Sequence, residues 1–153
     1  MPAHNEAGNI ERVIGEIREV APPLDIVVIN DCSTDDTAQR AARMGAAVVS
    51  LPCNLGYGGA VQTGFRYAVE HSYPVGVLMD ADGQHDPRGI ASLIEVVESG
   101  QADMALGSRF LGRLEYNTGL LRRLGMAFFS TVVSFLVHQK ISDPTSGFQA
   151  LSY

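Results

Sequence analysis

Short apolar runs rich in β-branched residues alternate with longer segments of helical period, and that alternation leaves the chain few architectures. LDIVVIN (24–30), AAVVSL (46–51), VGVLMD (75–80) and ADMALGS (102–108) read as strands. Four helical segments go with them, one ahead of the first strand and three between strands. NEAGNIERVIGEIREV (5–20) places apolar residues at 10, 13, 14, 17 and 20, along one helical face. STDDTAQRAARMG (33–45) offers Ser33 or Thr34 as N-cap, acids in the first turn and Gly45 as the stop. GYGGAVQTGFRYAVEHS (56–72) is a helix with a glycine-rich start. DPRGIASLIEVVESG (86–100) carries Asp86 as N-cap, Pro87 in first position and Gly100 past its end. The expectation is one α/β domain over residues 1–153, a mostly parallel sheet with helices on both faces.

The pattern is interrupted at both ends. A first helix of this class normally follows a strand, yet only Met1 and Pro2 precede its loop, and the chain stops at GFQALSY, as if inside a sheet or loop. The reading is a domain truncated at both ends, or a start placed late. FLGRLEYNTGLLRR (110–123) has two glycines and no period, and reads as a mobile loop. LGMAFFSTVVSFLVHQ (124–139) falls short of the roughly 20 apolar residues of a membrane span. It is read as a helix packed on the sheet or as one lying in a membrane interface.

Charge narrows the ligands. The net charge of −6 argues against nucleic acid, whose phosphates require a basic face. An acidic chain that handles phosphates needs local arginines or a metal. Cys32 and Cys53 form no CxxC pair and no zinc spacing, and read as two reduced thiols of a cytosolic protein. The first ten residues hold no apolar signal-peptide core.

DADGQH (80–85) is the chemically pointed stretch. Ligands of open parallel sheets bind beyond the carboxyl ends of the strands, where Asp80 and Asp82 fall. Hard cations such as Mg²⁺ or Mn²⁺ take oxygen ligands, often one or two carboxylates plus substrate phosphates. Asp80 and Asp82 are therefore candidate metal ligands, with Gln84 able to add a carbonyl oxygen; simple turn capping is the alternative. The stretch also approaches the D-x-D-G-T of haloacid-dehalogenase-type phosphatases, but Gln84 replaces the Thr and two strand–helix units precede it. In INDCSTDDT, Asp31 is one acid more than a cap needs and can accept from a nucleobase N–H. NLGYGGAVQTG is no phosphate loop: Val61 stands where GxGxxG needs glycine, and Phe65-Arg66 follow Gly64 where Walker A needs Lys-Ser/Thr. Arg109 closes the fourth strand, and Arg122 and Arg123 follow the loop; Arg109, beside the carboxylate pair, reads as a phosphate contact.

PAHNE, INDCSTDDT, NLGYGGAVQTGF, LMDADGQHDP, LGSRF and DPTSGFQAL, in this order, resemble the family 2 glycosyltransferases of GT-A fold, and within them the dolichyl- or polyprenyl-phosphate sugar synthases. The resemblance implies that Pro2, His4 and Glu6 border the nucleotide pocket and that Asp31 recognises the base. It implies that Asp80 and Asp82 form the metal pair, joined by Gln84, with Mg²⁺ or Mn²⁺ as cofactor. Arg109 and Arg122 would meet the acceptor phosphate, and Asp143, Ser146 and Gly147 would line the catalytic pocket. Asp82, Arg109, Arg122 and Asp143 are then the catalytic candidates. Gln149 stands where the family commonly has Arg, and His4 where it often has an aromatic. The implied partners are a GDP- or UDP-hexose and a polyprenyl phosphate, met at the cytoplasmic face of a membrane.

An acceptor phosphate is already mostly dianionic at neutral pH and needs no base to remove a proton. Two alternatives stay open. A sugar-hydroxyl acceptor would require a general base, for which Asp143 is the candidate. A GT-A-like module without catalysis would bind no metal-dependent nucleotide.

Overall fold

The computed structural model describes residues 1–21, 23–107 and 147–153. Arg109, Arg122, Arg123, Asp143 and Ser146 lie outside the described residues, as do the loop 110–123 and the apolar segment 124–139. The elements run β1 (Pro2–Ala3), α1 (Ile10–Val20), β2 (Val27–Asn30), α2 (Thr37–Arg43), β3 (Ala47–Ser50), α3 (Gly56–Glu70), β4 (Val75–Leu78), a 3-10 turn (Pro87–Gly89), α4 (Ile90–Glu98), β5 (Met104–Leu106) and β6 (Gln149–Ser152).

β1, β2 and β3 form a parallel sheet in that order, with Pro2 opposite Ile29 and Val28 opposite Val48. β4 and β5 flank β6, and both run antiparallel to it. β4 and β5 are thus parallel to each other, and β6 is the reversed strand of its sheet. The sequence left GFQALSY undecided because four residues, QALS, are too few to show a period.

Strand alternation puts helices on both faces. Val28 belongs to a cluster with Ile10 and Ile14 of α1 and Ala41 of α2. Ile29, one residue on, faces the other way and lies 3.5 Å from where Gly64 of α3 would carry a Cβ. A second cluster joins Val13 and Ile17 of α1 to Ile90, Leu93 and Val97 of α4, beneath Ala105 and Ala150. The helical period of α1 is realised at Ile10, Val13, Ile14 and Ile17, all buried, while Val20 at its last turn is 42% exposed.

The end signals hold at the 3-10 turn, where the Asp86 side chain accepts from the Arg88 N–H at 3.0 Å ahead of α4. Gly45 and Gly100, at φ +75° and +70°, end α2 and α4 in the left-handed region that glycine enters without steric cost. The start of α2 differs from expectation. The helix begins at Thr37, and Asp35, not Ser33 or Thr34, accepts its N–H at 3.0 Å. Ser33 and Thr34 serve the loop after β1 instead.

No strand pairing joins β1 or β2 to β4 among the described residues. Between β2 and β4 lies an apolar cavity of about 260 Å³, with Val27, Ile29, Phe65, Val75, Val77 and Ile94 in its walls. Met1 opens into it. The Ile29 N–H donates to the Met1 carbonyl at 2.8 Å, and the Met1 amino group donates to the Val27 carbonyl at 2.8 Å. The terminal amine therefore occupies the ladder position of a peptide N–H. Met1 as a residue is half-buried, but its amino end is turned inward, and burial lowers the amine from 8.0 to about 6 against a smaller opposing pull from Asp80.

Candidate active site

The cleft forms where the loops after β1, β2 and β4 converge on the start of α3. Hydrogen bonds sew the first two loops together. The Asn5 N–H donates to Ser33 Oγ at 3.0 Å, and the Thr34 N–H donates to Asn5 Oδ1 at 2.8 Å. The Glu6 N–H donates to Thr37 Oγ1 at 2.8 Å, and the Ala7 N–H to Asp35 Oδ2 at 3.1 Å. Burial acts to raise the Asp35 carboxyl, but donors from the Thr37 side chain and from the Ala7 and Thr37 main chain outweigh it and hold the group below its ordinary value. Asn5 and Cys32 take φ of +57° at the bends, a conformation that non-glycine residues adopt infrequently. The side chains in these loops thus mostly fix the backbone that carries His4, Glu6 and Asp31.

A cleft of about 350 Å³ opens at this junction, lined by residues that include Pro2, His4, Glu6, Asp31, Asp80 and Asp82, the six expected at the nucleotide sugar. Asp31, 4% exposed at the end of β2, spends one oxygen on structure: Oδ1 accepts the Leu55 N–H at 2.7 Å, at the start of α3. His4 Nδ1 lies 2.7 Å from the Asp31 carbonyl. A carbonyl only accepts, so Nδ1 carries the proton and Nε2 accepts from Asn5 Nδ2 at 3.2 Å. Glu6 accepts from Asn9 Nδ2 at 2.9 Å. Gln84 is not among the lining residues; its main-chain N–H donates to Asp82 Oδ1 at 2.9 Å across a turn whose Gly83 has φ +76°.

The pair after β4 is asymmetric. Asp82 holds its own turn, while Asp80 is gripped from outside. Asp80 Oδ2 lies 3.3 Å from His85 Nε2, and the buried His85 ring stacks on Phe148 with centroids 5.4 Å apart. Gly147 is packed so closely that a Cβ there would collide with Asp80 Oδ2 and come within 2.8 Å of the Tyr57 hydroxyl. Tyr57 is 54% exposed, yet burial leads the causes that raise its pKa, followed by the Asp80 charge and hydrogen bond and by the Asp82 charge. Both hold because the hydroxyl end is tucked against Asp80 while the ring faces outward. Asp80 Oδ1 is buried without a hydrogen-bond partner among the described residues. Such an oxygen costs about 1–3 kcal/mol unless a ligand or cation meets it.

The donor set suits a hard cation completed by a ligand. Among the described residues no three His, Cys, Asp or Glu side chains form a metal-holding group, so protein ligation there would rest on Asp80 and Asp82 with substrate oxygens supplying the rest. Asn54 and Tyr57, which also line the cleft, and His85 against Asp80 were not singled out by sequence reasoning. The first two sit in a stretch read for its glycines, and His85 in one read for its carboxylates.

A model of glycosyl transferase family 2 matches residues 1–152. The chain belongs to that family. The polyprenol monophosphomannose synthase of Mycolicibacterium smegmatis is 32% identical, over 98% of this chain and 59% of that protein. The dolichol-phosphate mannosyltransferase of Pyrococcus furiosus is 35% identical, over 99% of this chain and 44% of that protein. The glucosyl-3-phosphoglycerate synthase of Mycobacterium tuberculosis, solved with Mn²⁺ and UDP-glucose, aligns with a TM-score of 0.73 at 27% identity, over 99% of this chain and 54% of that one. This family 2 chain has the GT-A fold and spans roughly half the length of these relatives.

Packing at Gly147 predicts a mutational contrast. Gly147→Ala forces a methyl onto the Asp80 carboxylate and the Tyr57 hydroxyl, and should cost roughly 1–3 kcal/mol. Gly8→Ala, with nothing within 4 Å of the new methyl, should be neutral or slightly stabilising. Urea denaturation of the two variants measures the difference.

Proposed function

We propose that this family 2 chain transfers a hexose from a nucleoside-diphosphate sugar to a polyprenyl phosphate, with a divalent cation and with inversion at the anomeric carbon. One observation carries the nucleotide part. The cleft lining contains four carboxylates, Glu6, Asp31, Asp80 and Asp82, and no Lys or Arg among the described residues. A diphosphate brought into that field is repelled unless a cation comes with it. Bound at Asp80 and Asp82, Mg²⁺ or Mn²⁺ supplies charge compensation for the departing nucleoside diphosphate.

The chain's own residues divide the remaining work. Asp31 and His4 flank the base end, where the oxygen of Asp31 not used on Leu55 is the candidate acceptor for a nucleobase N–H. Asp80 and Asp82 hold the diphosphate end. Arg109 and Arg122 receive the acceptor phosphate, whose charge makes a base unnecessary. An acceptor oxygen forms the new bond to the sugar C1 as the bond from C1 to the diphosphate oxygen breaks, and the electron pair leaves with the diphosphate. The sugar passes through an oxocarbenium-like state, and direct displacement inverts it.

The lipid acceptor rests on the names of the relatives, polyprenol and dolichol phosphate among them. It places the reaction at a membrane surface, proposed as the cytoplasmic face. Among the described residues no helix is long and apolar enough to cross a membrane. The solved relative favours a second reading. Glucosyl-3-phosphoglycerate synthase has been crystallised with phosphoglyceric acid, a small acceptor bearing a hydroxyl. That reading gives Asp143 the role of base.

Asp82→Asn should abolish most transfer while leaving the unfolding midpoint within the ordinary range of surface variants, and chelation should do the same to the wild type. Full activity in excess EDTA would remove the metal. Offered a short-chain polyprenyl phosphate, the matching polyprenol and 3-phosphoglycerate, the enzyme should use the first alone. Arg122→Ala should lower that transfer at least tenfold, since a charge-assisted phosphate contact is worth roughly 1.5–3 kcal/mol. Transfer to a hydroxyl, with Arg122→Ala unaffected, would establish the second reading.

A further inference from the structure

We propose that Tyr57 and His85 are positioning residues that jointly hold the Asp80 carboxylate by Oδ2, and so set the affinity of the site for its divalent cation. The inference rests on the metal-dependent reading above and extends it to two residues outside the carboxylate pair.

Three separate segments converge on one oxygen. His85, from the same loop as Asp80, brings Nε2 to 3.3 Å of Oδ2, and since a carboxylate only accepts, Nε2 is the protonated nitrogen. Tyr57, from the start of α3, brings its hydroxyl to the same place: a methyl on Gly147 would meet both that hydroxyl and Asp80 Oδ2. The Tyr57 hydroxyl thus lies beside the carboxylate, whose charge, after burial, helps to raise its pKa, while Asp80 Oδ1 has no hydrogen-bond partner among the described residues. The third segment, Gly147-Phe148, closes the clamp. Gly147 leaves room for the Tyr57 contact, and Phe148 backs the His85 ring at 5.4 Å.

A carboxylate on a loop that no donor restrains samples several rotamers and must give them up when an ion binds. A donor from its own loop and a hydroxyl set beside it from α3 select one orientation before the ion arrives. The same pattern, a ligand oriented by a residue behind it, sets metal affinity by 10–100-fold in other sites. Among the described residues, Asp82 is restrained by its own turn through the Gln84 N–H. The clamp therefore makes Asp80 the preset member of the pair and Asp82 the adjustable one.

The test titrates Mn²⁺, followed by its EPR signal, into wild type and variants, alone and with UDP or GDP present. Tyr57→Phe removes one oxygen from a half-exposed ring, so its melting temperature should stay at the wild-type value while its Mn²⁺ Kd rises five- to tenfold. His85→Leu should weaken Mn²⁺ to a similar degree, and His85→Gln, which keeps a donor near Nε2, should recover most of the loss. Rescue by Gln but not Leu separates orientation of Asp80 from simple packing beneath Phe148. Wild-type Mn²⁺ binding with unchanged affinity in Tyr57→Phe and His85→Leu would overturn the clamp and leave the metal site standing. Absence of Mn²⁺ binding by the wild type in all three conditions would overturn the metal reading itself and the clamp with it.

Discussion

Carboxylates gathered on one wall of a cleft repel one another, and at the end of a half-buried sheet little water screens them. Asp31, Asp80 and Asp82, with Glu6 beside them, are in that position here, and no basic side chain joins them in the cleft lining among the described residues. The surrounding architecture can be understood as what keeps such a concentration of charge in place. Asp31 is tied to the Leu55 N–H, Asp82 to the Gln84 N–H, and Asp80 to His85. Each acid commits one oxygen to the protein and retains the other. Asp80 Oδ1 is buried and has no hydrogen-bond partner among the described residues.

The strand ends make this geometry available. β1, β2 and β4 deliver their loops to the same region, and α3 starts there, so residues distant in sequence meet at one wall. The loops gain rigidity from one another. Asn5 bonds to Ser33 and Thr34, Glu6 and Ala7 to Thr37 and Asp35, across more than twenty-five residues of chain. On the opposite flank the same arrangement leaves an apolar cavity between β2 and β4.

Much of this was legible in the order of the residues. The α1 stripe, the Asp86 and Pro87 start and the glycine stops at 45 and 100 are local signals, fixed by helix period and backbone sterics within a few residues. Asp80 and Asp82 stood out because two acids ending an apolar run require a reason. Other features depend on distant partners. Ser33 and Thr34 carry every local mark of a cap, but Asn5 competes for them and Asp35 takes the helix instead. β6 is strand by virtue of the two strands it lies between, not by four residues of pattern. His85 lies against a single oxygen of Asp80 and the Tyr57 hydroxyl comes near it from another element, with Gly147 leaving the space, so neither shows in local pattern. Arg109, Arg122 and Asp143 fall outside the described residues, so the acceptor side of the account stands on their chemistry and on the family.

The central claim is that the strand-end carboxylates form a site for a cation that carries a nucleoside diphosphate. Crystals grown with Mn²⁺ and UDP or GDP, with diffraction collected at the manganese absorption edge, address it directly. The account predicts one strong anomalous peak within ligation distance of Asp80 and Asp82, contiguous with diphosphate density and with the base reaching toward Asp31 and His4. Diphosphate bound in the cleft with no anomalous peak, or manganese located away from this carboxylate pair, would contradict it.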